Sequence, residues 1–78
     1  MESKNVVGAQ VKKARKNAKP PITQNELVAR LQIQGIKIDQ ATLSKIENGT
    51  RPVFDYEVVA LAEALKVAAE WLLNIENK

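Results

Sequence analysis

The sequence of 78 residues contains no cysteine, no histidine and only three aromatic residues. Without cysteine it can form neither a disulfide nor a thiolate metal site. Without histidine it lacks the commonest zinc ligand and the usual general base. Its carboxylates are scattered along the chain and not paired, so no acid–base constellation is visible. These absences predict a protein that is not an enzyme and that binds no metal and no cofactor.

Long apolar runs and a secretory signal are also missing. The longest apolar stretches are a few residues long, whereas about 20 are needed to span a bilayer. The N-terminal residues MESKNVVGAQ lack the apolar segment of a signal peptide. The length allows one small domain, which we predict to span residues 1–78. We therefore expect a cytoplasmic protein with no membrane partner.

The charge is unevenly distributed along the chain. The net charge is +3, but residues 1–19 hold six Lys or Arg residues and one acid, while residues 52–78 hold five acids and two basic residues. A basic segment of this kind favours a polyanionic partner such as nucleic acid. Solvated helix faces would produce the same bias, so the charge alone leaves both interpretations open.

Turn-forming residues divide the chain into segments with helical spacing. These residues are Pro20-Pro21, Gly35, Asn48-Gly49 and Pro52. Apolar residues in the first segment follow a narrow helical stripe, Val7, Val11, Ala14 and Ala18. Arg15 lies at the edge of that stripe, from which its guanidinium can reach inward. No alternating apolar run indicates a strand.

The second helix has clear start and stop signals. Thr23 followed by Glu26 predicts a capping box, in which each side chain accepts a hydrogen bond from the other residue's backbone N–H. Ile22 and Leu27 are placed as a hydrophobic staple across this start. Gly35 should end the helix just after residue 34.

The third helix, predicted at about residues 40–48 with Asp39 as its N-cap, has two chemically distinct faces. Leu43 and Ile46 lie on one face. The opposite face consists of Gln40, Ala41, Ser44, Lys45 and Asn48. Amide, methyl, hydroxyl and ammonium groups suit the base edges of the major groove. An ordinary solvated helix face is the alternative, but two short helices joined by a brief turn favour DNA recognition.

Two further helices are predicted in the C-terminal third. Asp55 can cap the fourth helix, with Phe54 and Val59 placed as its hydrophobic staple. A short fifth helix at about 68–74 contributes Trp71 and Leu72, and we expect Trp71 to close the core. With so few aromatic residues, the chain has no stacking platform of the kind used by readers of RNA or single strands.

Five segments carry a resemblance that covers nearly the whole chain. They are VGAQVKKAR at 7–15, ITQNEL at 22–27, TLSKIENGTRP at 42–52, DYEVVALAEALKV at 55–67 and EWLL at 70–73. These segments resemble the phage-repressor/Cro-like helix-turn-helix proteins, and ITQxEL followed by LSKIENG is the most specific part. The resemblance implies an all-α fold, a compact five-helix bundle with a lambda-repressor-like DNA-binding domain. The chain departs from the family pattern at Pro20-Pro21, at Val28 and in the long connection LQIQGIKID.

The resemblance also implies site residues. Bases would be read by Gln40, Ala41, Ser44 and Lys45. Phosphates would be contacted by Gln24, Asn48, Thr50 and Arg51, and we add Thr23 and Lys37 to this predicted set. Many family members join the positions of Arg15 and Glu47 by a partly buried ion pair, which ties the recognition helix to the first helix, and we expect the same pair here.

The function predicted from the sequence is that of a sequence-specific regulator of transcription that binds double-stranded DNA and acts as a repressor. One copy on one half-site would bind weakly, so we expect a homodimer, at least on DNA, at a pseudo-palindromic operator. The alternative is a protein-interaction adaptor, antitoxin-like or coactivator-like, that keeps the helix-turn-helix fold. Its support is the acidic C-terminal third, in which Val59, Leu73 and Ile75 look exposed.

Overall fold

The computed structural model describes residues 6–73, which form five helices and no strand. The helices are α1 (Val6–Asn17), α2 (Gln24–Ile33), α3 (Gln40–Asn48), α4 (Asp55–Leu65) and α5 (Ala69–Leu72). Helix α3 packs against α1 and α2, and α4 packs against α1, α2 and α5. The predicted all-α, five-helix bundle is therefore confirmed. None of these helices combines the length and the apolar character that a membrane crossing requires.

The core is a single apolar cluster to which every helix contributes. Its fully buried large side chains are Val11, Leu27, Leu31, Leu43, Ile46, Leu61 and Leu72. Burial of one such side chain contributes about 1.5–3 kcal/mol. Leu43 and Ile46 are both completely inaccessible to solvent, so they anchor α3 and leave its polar face outside the core.

Helices α1 and α3 touch through their backbones at Gly8. A Cβ atom built on Gly8 would overlap the carbonyl oxygen of Ile46 and lie 3.3 Å from the Cα of Glu47. Only glycine leaves room for this approach, because any other residue would force the two helices apart. The contact fixes the spacing between α1 and the helix predicted to read DNA.

The start and end of α2 lie where the sequence predicts them, but the predicted capping box is only half formed. Thr23 is the N-cap, and its Oγ1 accepts a hydrogen bond from the backbone N–H of Glu26 at 3.0 Å. The staple residues Ile22 and Leu27 are buried. The Glu26 carboxylate does not complete the capping box but forms an ion pair with Arg30, one turn later, at 3.0 Å. Gly35 follows the helix with φ +86°, a left-handed conformation that suits glycine.

The bounds of α3 match the predicted residues 40–48. Asp39 caps its start, because Oδ1 accepts a hydrogen bond from the backbone N–H of Thr42 at 2.8 Å. The hydrogen bonds from Thr42 lower the pKa of the Asp39 carboxyl. Gly49 ends the helix in the left-handed conformation, with φ +81°. Both ends are thus set by local residues.

The predicted start of α4 is wrong by one residue. Phe54 is the N-cap and Asp55 is the first helical residue. The Phe54 N–H donates to Oε1 of Glu57 at 3.0 Å, and Oδ1 of Asp55 accepts from the N–H of the next residue, Tyr56, at 2.6 Å. The predicted staple fails with it, because Phe54 and Val59 are exposed. Val53 packs against the core instead.

The C-terminal end also differs from the prediction. Helix α5 is shorter than the predicted 68–74, and Leu72, not Trp71, closes the core. Trp71 is 38% exposed, although its backbone oxygen accepts a hydrogen bond from Gln10 Nε2 at 2.9 Å. Lys66, which ends α4, has a left-handed φ of +61°. That conformation is strained for a residue with a side chain.

Candidate nucleic-acid interface

Three helices line one open groove, and most of the predicted DNA-contacting residues of α2 and α3 lie in it. Thr23 and Gln24 come from the start of α2, and Gln40, Ser44 and Asn48 from the polar face of α3. Lys12 and Lys16 of α1 line the same groove. The structure therefore places amide and hydroxyl groups beside two ammonium groups, a combination that suits base edges and phosphates.

The ion pair between Arg15 and Glu47 lies at the bottom of this groove. Arg15 Nε is 2.8 Å from Glu47 Oε2, and Arg15 Nη2 is 2.9 Å from Glu47 Oε1, so the pair is bidentate. The Glu47 side chain is only 2% exposed and that of Arg15 is 11% exposed. Arg15 Nη1 also donates to the backbone oxygen of Ile22 at 3.2 Å. The structure thus brings α1, α3 and the chain before α2 together around one carboxylate.

Two glutamine amides continue this network toward the groove surface. Gln24 Nε2 donates to Glu47 Oε1 at 3.1 Å. Gln40 Nε2 donates to Gln24 Oε1 at 3.3 Å. Gln40 is the first residue of α3 and is exposed. Its amide is therefore both available to a ligand and connected, through Gln24, to a buried charge.

The remaining predicted contacts on α3 and its end are exposed. Ala41 and Lys45 are exposed on the outer face of the helix, and Asn48 is its last residue. Thr50 follows Gly49 and turns back onto α3: its backbone N–H lies 3.0 Å and its hydroxyl 3.2 Å from the Lys45 oxygen, and both donate to it. The Thr50 side chain thus helps to finish the helix and remains at the surface.

Lys37 and Arg51 are not in the groove. Both lie in a second concavity, beside Thr42 and Tyr56. The Arg51 guanidinium makes a bidentate ion pair with Glu57, with contacts of 2.9 and 3.0 Å. Its Nη1 also donates to the Pro52 oxygen.

A phosphate would therefore have to compete with a carboxylate for Arg51. Its guanidinium also lies over the ring of Phe54, 5.5 Å from the ring centroid. These contacts hold the loop after α3 against the start of α4. Contact of Arg51 with a phosphate stays a prediction.

The carboxylate of Glu57 is charged despite its burial. Burial raises the pKa of this side chain, but the hydrogen bonds from Arg51 and from the Phe54 N–H outweigh that effect, so the pKa is lowered overall. The pair likewise raises the pKa of Arg51.

Within residues 6–73 no group of three or more His, Cys, Asp or Glu side chains could hold a metal ion.

Lys12 and Lys16 line the groove although they are not among the predicted site residues. The crossing of α1 over α3 turns both lysines toward the groove. The signal that could have found them is the four-residue spacing of the two lysines, which puts them on one side of the helix next to Arg15. Asn25, the residue after Gln24, lines the groove as well.

Comparison with known proteins assigns the chain to a domain family. A family model described as a helix-turn-helix domain matches residues 8–78, which is most of the chain. Neither the curated proteins nor the solved structures contain a match to the sequence. The match agrees with the arrangement of α2 and α3. Each of these two helices begins at a side-chain cap and ends next to a glycine, and the chain between them forms the turn. The chain therefore belongs to the helix-turn-helix family of DNA-binding domains.

Proposed function

We propose that this protein is a sequence-specific regulator of transcription that binds double-stranded DNA as a repressor of the phage-repressor/Cro-like kind. It would act in the cytoplasm as one domain spanning residues 1–78, without enzymatic activity or cofactor. The observation that carries the proposal is the groove in which Gln40, Ser44 and Asn48 of α3 lie beside the start of α2 and two lysines of α1. In that arrangement α3 can enter the major groove while its neighbours meet the phosphates.

Base reading is assigned to four exposed or half-exposed residues of α3. Gln40 can pair with the N6 and N7 atoms of adenine, and Lys45 with the O6 and N7 atoms of guanine. Ala41 offers a methyl group to thymine, and Ser44 offers a hydroxyl to either kind of base. All four lie away from Leu43 and Ile46, so reading a base does not disturb the core contacts of the helix.

Phosphate contacts are assigned around this face. Thr23 and Gln24 lie at the N-terminus of α2, where unpaired backbone N–H groups favour an anion. Lys12 and Lys16 supply positive charge from α1, and Asn48 and Thr50 lie at the other end of α3. Lys37, beside Asp39 at the start of α3, is assigned to a flanking phosphate.

The test is selection of binding sites from random duplex DNA by the purified chain. An inverted repeat among the recovered sites would support two copies on a pseudo-palindrome, with half-sites about one helical turn apart. The affinity for the selected site should fall linearly with salt on a double logarithmic plot, with a slope near −0.9 for each phosphate contact. Recovery of no common sequence would reject the proposed function.

Matched variants separate base reading from phosphate contact. Gln40→Ala and Lys45→Ala should each cost about 1–3 kcal/mol on the selected site and relax the preference at one base pair. Lys16→Ala should weaken binding to all sequences alike and reduce the salt slope by about one unit. Lys13→Ala, which removes a lysine of α1 that does not line the groove, is the control and should have the smaller effect.

A protein-interaction adaptor is the second candidate, because an apolar surface is exposed on the other side of the loop after α3. Phe54, Tyr56 and Val59 are each at least half exposed, and the rings of Phe54 and Tyr56 stack with centroids 5.9 Å apart. Leu73 is also exposed, while Ile75 lies outside the described residues. An adaptor would capture a protein partner with little dependence on salt, whereas DNA binding would show the steep dependence given above.

A further inference from the structure

Helix α4 exposes one narrow ridge of side chains. The ridge consists of Asp55, Tyr56, Val59 and Glu63, and every other residue of the helix is buried. At about 100° per residue, the four positions fall within an arc of about 100°. None of them lines the groove formed by α1, α2 and α3. The α4 ridge is therefore a separate surface from the one on which DNA recognition is proposed.

The centre and the N-terminal end of the α4 ridge are apolar. Val59 is 60% exposed and Tyr56 is 58% exposed, and their spacing of three residues makes them neighbours on the helix surface. The ring of Phe54, just before the helix, stacks on that of Tyr56. Half of the six large apolar side chains exposed in residues 6–73 are thus gathered here. Contiguous apolar exposure of this kind indicates an interaction surface, whereas single exposed residues do not.

Carboxylates lie on both sides of the apolar centre. Asp55 precedes Val59 by four residues and Glu63 follows it by four, so the three form one row along the helix. At a rise of 1.5 Å per residue, the two acidic positions are about 12 Å apart along the axis. Even with Lys66, which ends the helix, the surface has one more negative than positive charge. A complementary partner would bring apolar groups to the centre and positive charge to both sides.

The same charges disfavour a second copy of the chain and DNA as occupants of the ridge. In a two-fold symmetric contact between two ridges, each carboxylate would face a carboxylate of the other copy, whichever way the helices run. Like charges placed opposite each other in an interface are destabilising. DNA phosphates would be repelled for the same reason. The occupant that the charges favour is a cationic segment of another protein.

We propose that the α4 ridge binds a basic amphipathic helix of a partner protein. Rows of side chains four residues apart interdigitate in the commonest class of helix packing. The matching row of the partner would carry Lys or Arg, an apolar residue four positions later and a second Lys or Arg four positions after that. Two helical turns bury less than the roughly 1,200 Å² of a stable interface, so the complex is transient. The inference does not rest on DNA recognition, because α4 contributes no residue to the groove.

The test uses a synthetic peptide in place of the partner helix. The peptide has about 20 residues, enough to hold a helix, with two lysines eight positions apart and a leucine midway between them. Binding is measured by the fluorescence anisotropy of the labelled peptide as the purified chain is added. We expect binding by the natural chain, and at least about tenfold weaker binding of a peptide with glutamate at both lysine positions.

Two variants of the chain locate the binding surface. Val59→Ser removes the apolar centre and should weaken peptide binding about tenfold. Because Val59 is exposed, urea unfolding of this variant should differ little from that of the natural chain. Glu70→Gln, which removes an exposed carboxylate from α5, is the control and should bind the peptide as the natural chain does.

Charge reversal distinguishes a docked helix from general attraction between a basic peptide and acidic residues. Glu63→Lys should weaken binding of the original peptide about tenfold or more. Replacing one of the two peptide lysines by glutamate should restore binding to this variant, whereas the same replacement at the other lysine should not. Which replacement restores binding gives the direction of the partner helix relative to α4.

Several results would overturn the inference. They are failure of the natural chain to bind the peptide, unchanged binding by Val59→Ser, and equal binding of both single-glutamate peptides to Glu63→Lys. A dimer of the free chain in sedimentation that Val59→Ser dissociates would also overturn it, because the ridge would then hold a second copy. Selection of DNA sites is a separate result: Val59→Ser should recover the same sites as the natural chain, so either proposal can fail while the other stands.

Discussion

Two bidentate Arg–Glu pairs stabilise this domain, and they connect very different parts of the chain. Arg15 and Glu47 are 32 residues apart and join α1 to α3, whereas Arg51 and Glu57 are six residues apart and close one loop. Each glutamate side chain is almost completely buried, 2% exposed in Glu47 and 4% in Glu57. The arginines differ more, because Arg15 is 11% exposed and Arg51 is 26% exposed.

We expect burial of the cation, and not the type of pair, to decide how much stability each ion pair contributes. Arg15 has little access to water, so loss of its carboxylate leaves a charge poorly solvated. Arg51 can rehydrate, and it retains the Pro52 oxygen and the ring of Phe54. Glu47 of the first pair also accepts a hydrogen bond from Gln24 in the candidate interface, whereas Arg51 of the second pair lies over the exposed ring of Phe54.

The largest effect is expected from removing the long-range carboxylate. Glu47→Ala should lower the free energy of unfolding by about 3–5 kcal/mol, because it leaves the Arg15 guanidinium buried without its partner. The measurement is equilibrium unfolding in urea. The double variant Arg15→Met with Glu47→Leu is the control and should be nearly as stable as the natural chain. A loss below about 1 kcal/mol in the single variant would be typical of an exposed pair and would contradict the comparison.

Gly8→Ala tests the same helix contact without changing either ion pair. Its methyl group would overlap the Ile46 carbonyl oxygen, and a backbone atom cannot move aside without shifting α3. We expect a loss of about 3 kcal/mol in urea unfolding, at the upper end of the usual cost of overpacking. Gly49→Ala is the matched control, since open space surrounds that position and only its φ of +81° disfavours alanine, at about 1 kcal/mol. Equal losses would show that α1 and α3 are not held in backbone contact.

The local pair should matter less. Glu57→Ala should cost about 1–2 kcal/mol in urea unfolding, because the buried side chain and its hydrogen bond to the Phe54 N–H are lost while Arg51 returns to water. Glu63→Ala, which removes an exposed carboxylate from the same helix, is the control and should be near neutral. If Glu57→Ala cost as much as Glu47→Ala, exposure of the arginine would not explain the difference between the pairs.

The pH dependence of stability gives a separate measure of the local pair. The pKa of Glu57 is lower in the folded than in the unfolded chain. Between these two pKa values the unfolded state therefore binds more protons than the folded state. The contribution of Glu57 is therefore complete above the ordinary glutamate pKa and is lost as the pH falls through the lowered value. The acid branch of the stability curve should be shallower in Glu57→Gln than in the natural chain. Parallel acid branches would contradict the assigned shift.

The smallest effect is a gain in stability far from both pairs. Lys66→Gly should raise the free energy of unfolding by about 0.5–1 kcal/mol, because glycine adopts the left-handed φ of +61° without the strain of a side chain. Lys66→Ala keeps the strain and should give no such gain. The measurement is again urea unfolding, and a loss of stability in Lys66→Gly would contradict the prediction.

The elements that the sequence predicted best are those with local signals at both ends. The bounds of α3 follow from the Asp39 cap and from Gly49, and neither depends on the rest of the fold. The start of α4 was missed because Glu57, three residues into the helix, takes the Phe54 N–H and is itself drawn inward by Arg51. The position of the Glu57 carboxylate depends on its tertiary contact with Arg51, which a capping pattern does not contain.

The candidate site likewise contains residues that local sequence signals predict and residues that depend on the tertiary fold. The polar face of α3 follows from helical periodicity, and its place in the groove agrees with that prediction, although which residue reads which base stays a prediction. Lys12 and Lys16 were missed because their direction depends on how α1 crosses α3. The resemblance implies a phosphate contact for Arg51, which stays a prediction, but it does not reveal the ion pair with the buried Glu57, six residues later.

The backbone contact at Gly8 has a consequence for redesign of this domain. Because the angle of α3 is fixed by main-chain atoms and by Leu43 and Ile46, its outer residues contribute little to how the helix is held. Ala41 and Lys45 can then be exchanged for other side chains while the helix keeps its orientation. Residue 8 is the opposite case, since a library randomised there should return glycine alone. In this domain the residues proposed to read DNA and the orientation of the helix that carries them can vary independently.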